Sequence, residues 1–135
     1  MRLAYLDAGA IIRLVEGTDS LQRAVRDAVD GREMMTSVLS ITECLTKPLR
    51  DGDAVLVHRF EQTFRMRSLK VVGVGKRLAR LASEGRATHQ LKTPDAVHYA
   101  TAVTNSCDVF VTADLRFERC RGVAGGPEIL IVPAV

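Results

Sequence analysis

The chain contains no tryptophan, and its other aromatics are limited to two Tyr and four Phe in 135 residues. So small a set rules out an extensive platform for stacking bases and leaves the core to Val, Leu, Ile and Ala. Long apolar runs are also missing. The tail segment Ile129-Leu130-Ile131-Val132 has the length of a strand, far below the roughly 20 residues that a membrane-spanning helix needs. No extended apolar stretch precedes the first acid in Met1-Arg2-Leu3-Ala4-Tyr5-Leu6-Asp7, so a signal peptide is not expected. The cysteines, Cys44, Cys107 and Cys120, are odd in number, widely spaced and without a Cys-x-x-Cys pair. That argues against a disulfide framework and for reduced thiols in a cytoplasmic protein. His58, His89 and His98 lack zinc-ligand spacing. His98, three residues after Asp95, is read as structural or as a support for a neighbouring group. No Gly-rich phosphate loop follows the first strand, and Gly73 and Gly75 lack the spacing for one, which excludes the common nucleotide-binding motifs.

What is present is ordinary for a globular protein: 47% hydrophobic and 26% charged residues. The length suits one domain with a real core, so residues 1–135 are read as a single unit. The formal charge of +3 is unevenly spread. Residues 58–92 hold nine Lys and Arg against two acids, a local balance of +7, while the segments on either side each carry −2. A basic middle between acidic flanks suits a phosphate-backbone ligand, and a solvated Arg-rich helix face is the plainer alternative.

Hydrophobic periodicity predicts strands over 2–6, 34–38, 109–112 and 129–132, with 69–72 as a strand or an extended connection. Helices are predicted over 10–16, 19–30, 40–45, 54–65 and 76–84, and from Thr93 to about Thr104. Asp19 or Ser20 is the expected cap of the second helix. Pro48 and Asp51-Gly52-Asp53 read as a break, and 85–92 as a loop. Thr93-Pro94-Asp95 reads as a Thr cap, a Pro at the first helical position and a first-turn acid. Strands apolar throughout and alternating with helices point to an α/β fold, a small parallel sheet flanked by helices on both faces.

Four acids stand out on that frame. Asp7 and Asp114 close apolar strands, and Glu43 and Asp95 lie near helix starts that would open on the same sheet edge. Singly, Asp95 reads as a cap-region acid, Asp114 as a turn residue and Glu43 as a solvated helix residue. Asp7 resists such a reading, because desolvating a carboxylate beside a buried strand costs several kcal/mol or more. Two carboxylates about 4 Å apart repel by roughly 4 kcal/mol at an effective dielectric of 20. A hard divalent cation with oxygen ligands relieves such repulsion, which makes a metal-dependent hydrolase the leading idea. Glu118, one turn after Asp114, reads as a surface charge. A signalling receiver fits poorly, since its paired acids and phosphorylatable Asp belong at other strands.

The segments Tyr5-Leu6-Asp7, Thr42-Glu43-Cys44-Leu45, Thr93-Pro94-Asp95-Ala96-Val97-His98-Tyr99-Ala100-Thr101-Ala102 and Val111-Thr112-Ala113-Asp114-Leu115-Arg116-Phe117 occur in an order that resembles the PIN domain. Within that family the chain resembles the VapC-type toxin ribonucleases of bacterial toxin–antitoxin pairs. The resemblance implies an endoribonuclease that binds Mg²⁺ or Mn²⁺ through Asp7, Glu43, Asp95 and Asp114. It also implies that Thr112 holds a carboxylate or water and that Phe117 packs the turn. RNA would be the substrate, a cognate antitoxin the partner and a homodimer the common assembly, with Arg116 and Arg119 placed to grip flanking phosphates. One departure is Asp7-Ala8-Gly9, where many members carry hydroxyl residues after the first acid. It implies a lost hydrogen bond to Asp7, and it is the sequence support for the alternative, a non-catalytic PIN-like domain that binds RNA or protein.

Overall fold

Among the described residues, five short strands form one sheet in the order β3-β2-β1-β4-β5: β1 (Leu3–Leu6), β2 (Glu33–Ser37), β3 (Leu69–Val72), β4 (Val109–Thr112) and β5 (Glu128–Ile131). Every neighbouring pair is parallel. The structure is a computed structural model and describes residues 2–134. Within these residues six α-helices connect the strands: α1 (Ala8–Glu16), α2 (Asp19–Val29), α3 (Leu39–Arg50), α4 (Ala54–Arg65), α5 (Lys76–His89) and α6 (Thr93–Thr104). A 3₁₀ helix (Leu115–Cys120) precedes β5. From β1 the chain runs to β2 and β3 on one side, then crosses back to β4 and β5 on the other. Strand order therefore reverses between β1 and β4, and a crevice opens beyond their carboxyl ends.

The central strands alternate between two cores, as period-2 geometry requires. Ala4, Leu6, Val109 and Val111 join Ile11, Val25, Cys44 and Phe60 on the face covered by α1 to α4. Tyr5 and Phe110 point the other way and pack with Leu78, Ala82, Ala96 and Tyr99 of α5 and α6. The scarce aromatics are concentrated rather than dispersed. Tyr5 and Phe110 stack with centroids 5.3 Å apart, and Phe117 lies 4.6 Å from Phe110. The expectation of a purely aliphatic core therefore holds for neither face, since Phe60 also fills the other. Phe117 packs its turn, fully buried, as the resemblance implies. All three cysteines are free and buried. Among the described residues, no helix is long and apolar enough to cross a membrane.

Several boundaries differ from the sequence reading. α3 does not break at Pro48 but runs to Arg50. Pro48 is buried in the last turn, where the missing N–H costs one bond at a fraying end. The break falls at Gly52, whose φ of +67° suits glycine, and Asp53 caps α4. α2 is capped by Thr18 rather than Asp19 or Ser20. In α6 the N-cap is Lys92, so Thr93 and Pro94 already lie inside the helix. β3 is a genuine strand. The expected 85–92 loop is mostly helix, because α5 continues through Gly85 and ends at Gln90 in the left-handed region. Gly85 faces α6, where a Cβ would meet the Ala96 Cβ at 3.9 Å.

That separation is ordinary van der Waals contact, and a helix-interior glycine costs about 0.5–1 kcal/mol relative to alanine. Gly85→Ala is therefore expected to stabilise the protein by about that amount in urea denaturation. A clear loss of stability would mean that α5 and α6 are more tightly packed than this.

Candidate active site

Asp7 ends β1 and is the N-cap of α1. Its side chain is 7% exposed, and each oxygen has a partner. Oδ1 accepts from the Ala10 N–H at 2.9 Å, and Oδ2 accepts from the Thr112 hydroxyl at 2.5 Å. Thr112 Oγ1 in turn accepts from the Asp114 N–H at 3.0 Å, so one hydroxyl links the ends of β1 and β4. Burial is the dominant influence on Asp7 and raises its pKa, against the lowering effects of Thr112 and Ala10.

Glu43 is delivered by α3, whose orientation depends on a buried polar ladder. Thr36 Oγ1 donates to the Leu6 carbonyl at 2.8 Å and lies 2.7 Å from Ser40 Oγ. These contacts tie β1, β2 and the start of α3 together, and Glu43 lies one turn beyond Ser40. Its Oε1 is 2.6 Å from His98 Nε2, and His98 is 2% exposed. By sequence His98 reads as structural or as a support for a neighbouring group, and in the fold its neighbour is the Glu43 carboxylate.

Asp95 lies in the first turn of α6, while Asp114 follows β4 and caps the 3₁₀ helix. Arg116 stands between them. Its Nη2 is 2.7 Å from Asp114 Oδ2 and 3.9 Å from Asp95 Oδ2, and its Nε donates to Asp114 at 3.1 Å. The Arg116 side-chain bond is the main reason that the Asp114 carboxyl sits below the usual range. The Asp95 carboxyl is raised, first by desolvation and then by the Asp114 charge, with Glu43 adding to it. The raised Asp95 and the lowered Asp114 are what neighbouring acids show when one of them monopolises the available cation.

All four acids line one open cleft with Ala8, Gly9, Arg13, His98 and Arg116. Arg13 has no signal in the sequence beyond being a cation on an apolar helix. Its guanidinium donates to the carbonyls of Gly9 at 2.9 Å and of Pro133 and Ala134 at 3.2 Å, which ties α1 to the C-terminal segment. Arg119 turns away and donates to the Gln90 carbonyl at 3.0 Å. Glu118 pairs with Arg121 on the surface, as a plain surface charge would. The departure at Ala8-Gly9 does not leave Asp7 unpartnered, since both oxygens are bonded. Position 9, where a Cβ would lie 3.6 Å from Asp7 Oδ1, borders the carboxylate.

The PIN domain family profile matches residues 4–123. The chain belongs to the PIN domain family. No curated protein sequence matches it. Among solved structures, a toxin–antitoxin complex from Klebsiella pneumoniae is similar at 18% identity and a TM-score of 0.71, covering 94% of this chain and 95% of that one. VapBC2 from Rickettsia felis, bound to a promoter DNA fragment, aligns at 10% identity and a TM-score of 0.73, covering 96% and 98%. Mycobacterium tuberculosis VapC20, described as a Sarcin-Ricin loop cleaving toxin, aligns at 18% identity and a TM-score of 0.66, covering 79% and 86%. At these identities the likeness is one of fold.

In this PIN domain the cleft's donor chemistry suits a hard divalent cation: four carboxylates and no soft ligand. The side chains are not drawn together around a common point. Among the described residues, no three His, Cys, Asp or Glu side chains form a group that could hold a metal ion as they stand. Each of two carboxylates is engaged by a partner of its own: the Arg116 guanidinium holds Asp114, and the His98 imidazole lies against Glu43.

Because the Asp7 pKa is raised, the folded chain holds that proton more tightly than the unfolded chain does. The stabilising contribution is full at low pH and is lost as pH rises through the raised value, so near pH 7 the ionised carboxylate is a burden. In metal-free protein, Asp7→Asn is expected to raise Tm near neutrality, with the gain shrinking on acidification. Melts followed by circular dichroism from about pH 4 to about pH 8 read this directly. Thr112→Val, by contrast, leaves Asp7 Oδ2 without its donor and is expected to cost about 1–3 kcal/mol in urea denaturation. A neutral result would mean that water replaces the hydroxyl fully.

Proposed function

We propose that this chain is a Mg²⁺- or Mn²⁺-dependent endoribonuclease, the toxin component of a type II toxin–antitoxin pair. The observation that carries the reading is that Asp7, Glu43, Asp95 and Asp114 border one open cleft at the strand switch point. They would be the residues that hold the cation. A divalent ion supplies Lewis acidity when bound, acidifying water and neutralising charge that develops on the scissile phosphate.

The chain's own groups set the rest. Thr112 holds Asp7 toward the cleft, and His98 holds Glu43. Arg116, 44% exposed at the rim, is a bidentate-capable cation suited to a phosphate oxygen once its carboxylate partners are engaged elsewhere. Lys92, at the start of α6, lies close enough to help lower the Asp114 pKa. Lys76 and Arg77 are exposed at the start of α5, which follows β3 and so opens on the same sheet edge. These cations give a negatively charged backbone an approach to an otherwise acidic cleft. The open cleft suits a strand or loop of RNA better than an enclosed small molecule, with recognition by shape rather than by aromatic stacking.

A cognate antitoxin is supported by the toxin–antitoxin complexes among the similar folds. A homodimer belongs to the same reading. The apolar side of α1 over residues 10–15 is largely used by the core, since Ala10, Ile11 and Val15 are buried. On α4, Phe60 is buried while Val55 is 74% exposed.

The second reading, a non-catalytic PIN-like domain that binds RNA or protein, draws on the Arg116 bridge across Asp95 and Asp114. Cleavage of a structured RNA panel in Mg²⁺, Mn²⁺ and EDTA separates the two. Metal-dependent cutting that Asp95→Asn lowers by at least a hundredfold, with Tm unchanged or raised, is the expected result. Binding of RNA without cutting, equal in both proteins, would favour the non-catalytic domain.

A further inference from the structure

We propose that His98, itself held by Tyr5, is a positioning residue that aims Glu43 into the carboxylate cleft. This rests on the nuclease reading only for its consequence; the relay itself is a feature of the metal-free chain. Tyr5 Oη lies 2.6 Å from His98 Nδ1, and His98 Nε2 lies 2.6 Å from Glu43 Oε1. The path crosses three elements, from β1 through α6 to α3. Both inner members are shielded, Tyr5 fully buried and His98 2% exposed. The two rings also meet edge to face, with centroids 5.7 Å apart at 62°.

One tautomer satisfies both bonds. A proton on Nε2 donates to the Glu43 carboxylate, and the bare Nδ1 accepts the phenolic proton. Burial pushes the Tyr5 phenol well above its ordinary pKa, so it remains a donor. The Ser37, Thr36 and Thr101 hydroxyls oppose that rise without reversing it.

Glu43 is the group that most needs this support. The three aspartates are short, and Asp7 and Asp114 are fixed by caps and neighbours. Glu43 carries one more rotatable bond and is 33% exposed, and among the described residues its carboxylate hydrogen-bonds His98 alone. Asp95 and His98 lie one turn apart on α6, so the same helix presents one carboxylate and steers another. Locking a ligand side chain through a partner behind it commonly changes metal affinity by about tenfold to a hundredfold.

Calorimetric Mn²⁺ titration of the full chain tests this, beside thermal melts of wild type, His98→Leu, His98→Gln and Tyr5→Phe. Leu fills the buried site with apolar volume, whereas Gln keeps an N–H near Nε2. A packing role predicts that Leu is tolerated better than Gln in both measurements. Positioning predicts the opposite order in affinity: about a tenfold or greater loss for Leu, a smaller one for Gln and an intermediate one for Tyr5→Phe, whatever the melts show. Leu binding Mn²⁺ as wild type does would overturn the proposal. Wild type that binds no Mn²⁺ would sink the nuclease reading instead. The relay is then decided by imidazole ¹⁵N spectra of metal-free protein. A single Nε2–H form that becomes mixed in Tyr5→Phe upholds it, and spectra indifferent to Tyr5 reject it.

Discussion

The Thr112 hydroxyl is the small contact on which the cleft depends. It donates to Asp7 and accepts from the Asp114 amide, so the ends of β1 and β4 are held in one hydrogen-bonded unit. A hydroxyl can do this because it is donor and acceptor at once. The two strands are neighbours at which the sheet's winding reverses, and the chain leaves them in different directions. Without a tie of this kind, a buried carboxylate at the end of β1 would face the crevice with half its hydrogen-bonding capacity empty.

Around that tie the carboxylates are managed by separate devices rather than by a common one. Asp7 relies on a helix N-terminus and a hydroxyl, Glu43 on an imidazole, and Asp114 on a guanidinium. Asp95 has the weakest partner, a guanidinium nitrogen 3.9 Å away, and burial together with the Asp114 charge raises its carboxyl. The metal-free cleft is thus an electrostatic arrangement in waiting. Its charges are satisfied piecemeal, and the partners of Glu43 and Asp114 come from within the chain.

The sequence reading of the helix limits failed for physical reasons. Pro48 was read as a break, yet a proline near a C-terminus removes a bond that fraying makes cheap. Gly85 reads as the start of a loop, yet α5 continues through it to His89, since a single glycine costs a helix only about 0.5–1 kcal/mol. In both cases the residue's cost depends on where in the helix it falls, which residue type alone does not give. The aromatics show the same limit. Their number was plain from composition, but the gathering of Tyr5, Tyr99, Phe110 and Phe117 on one face depends on strand register, which brings Tyr5 opposite Phe110.

By itself the sequence determined the alternation of apolar strands and helices, and with it a parallel α/β sheet with helices on both faces. It also determined which acids stand at strand ends and helix starts, because periodicity and position along the chain are local properties. Only the tertiary structure decided what those acids touch. That Arg116 bridges Asp114 toward Asp95, that His98 links Tyr5 to Glu43 across 93 and 55 residues of chain, and that Arg13 reaches the C-terminal segment all depend on long-range packing. Hydrogen bonds act over about 3 Å, and no spacing in a one-dimensional chain specifies a distance that short between residues so far apart.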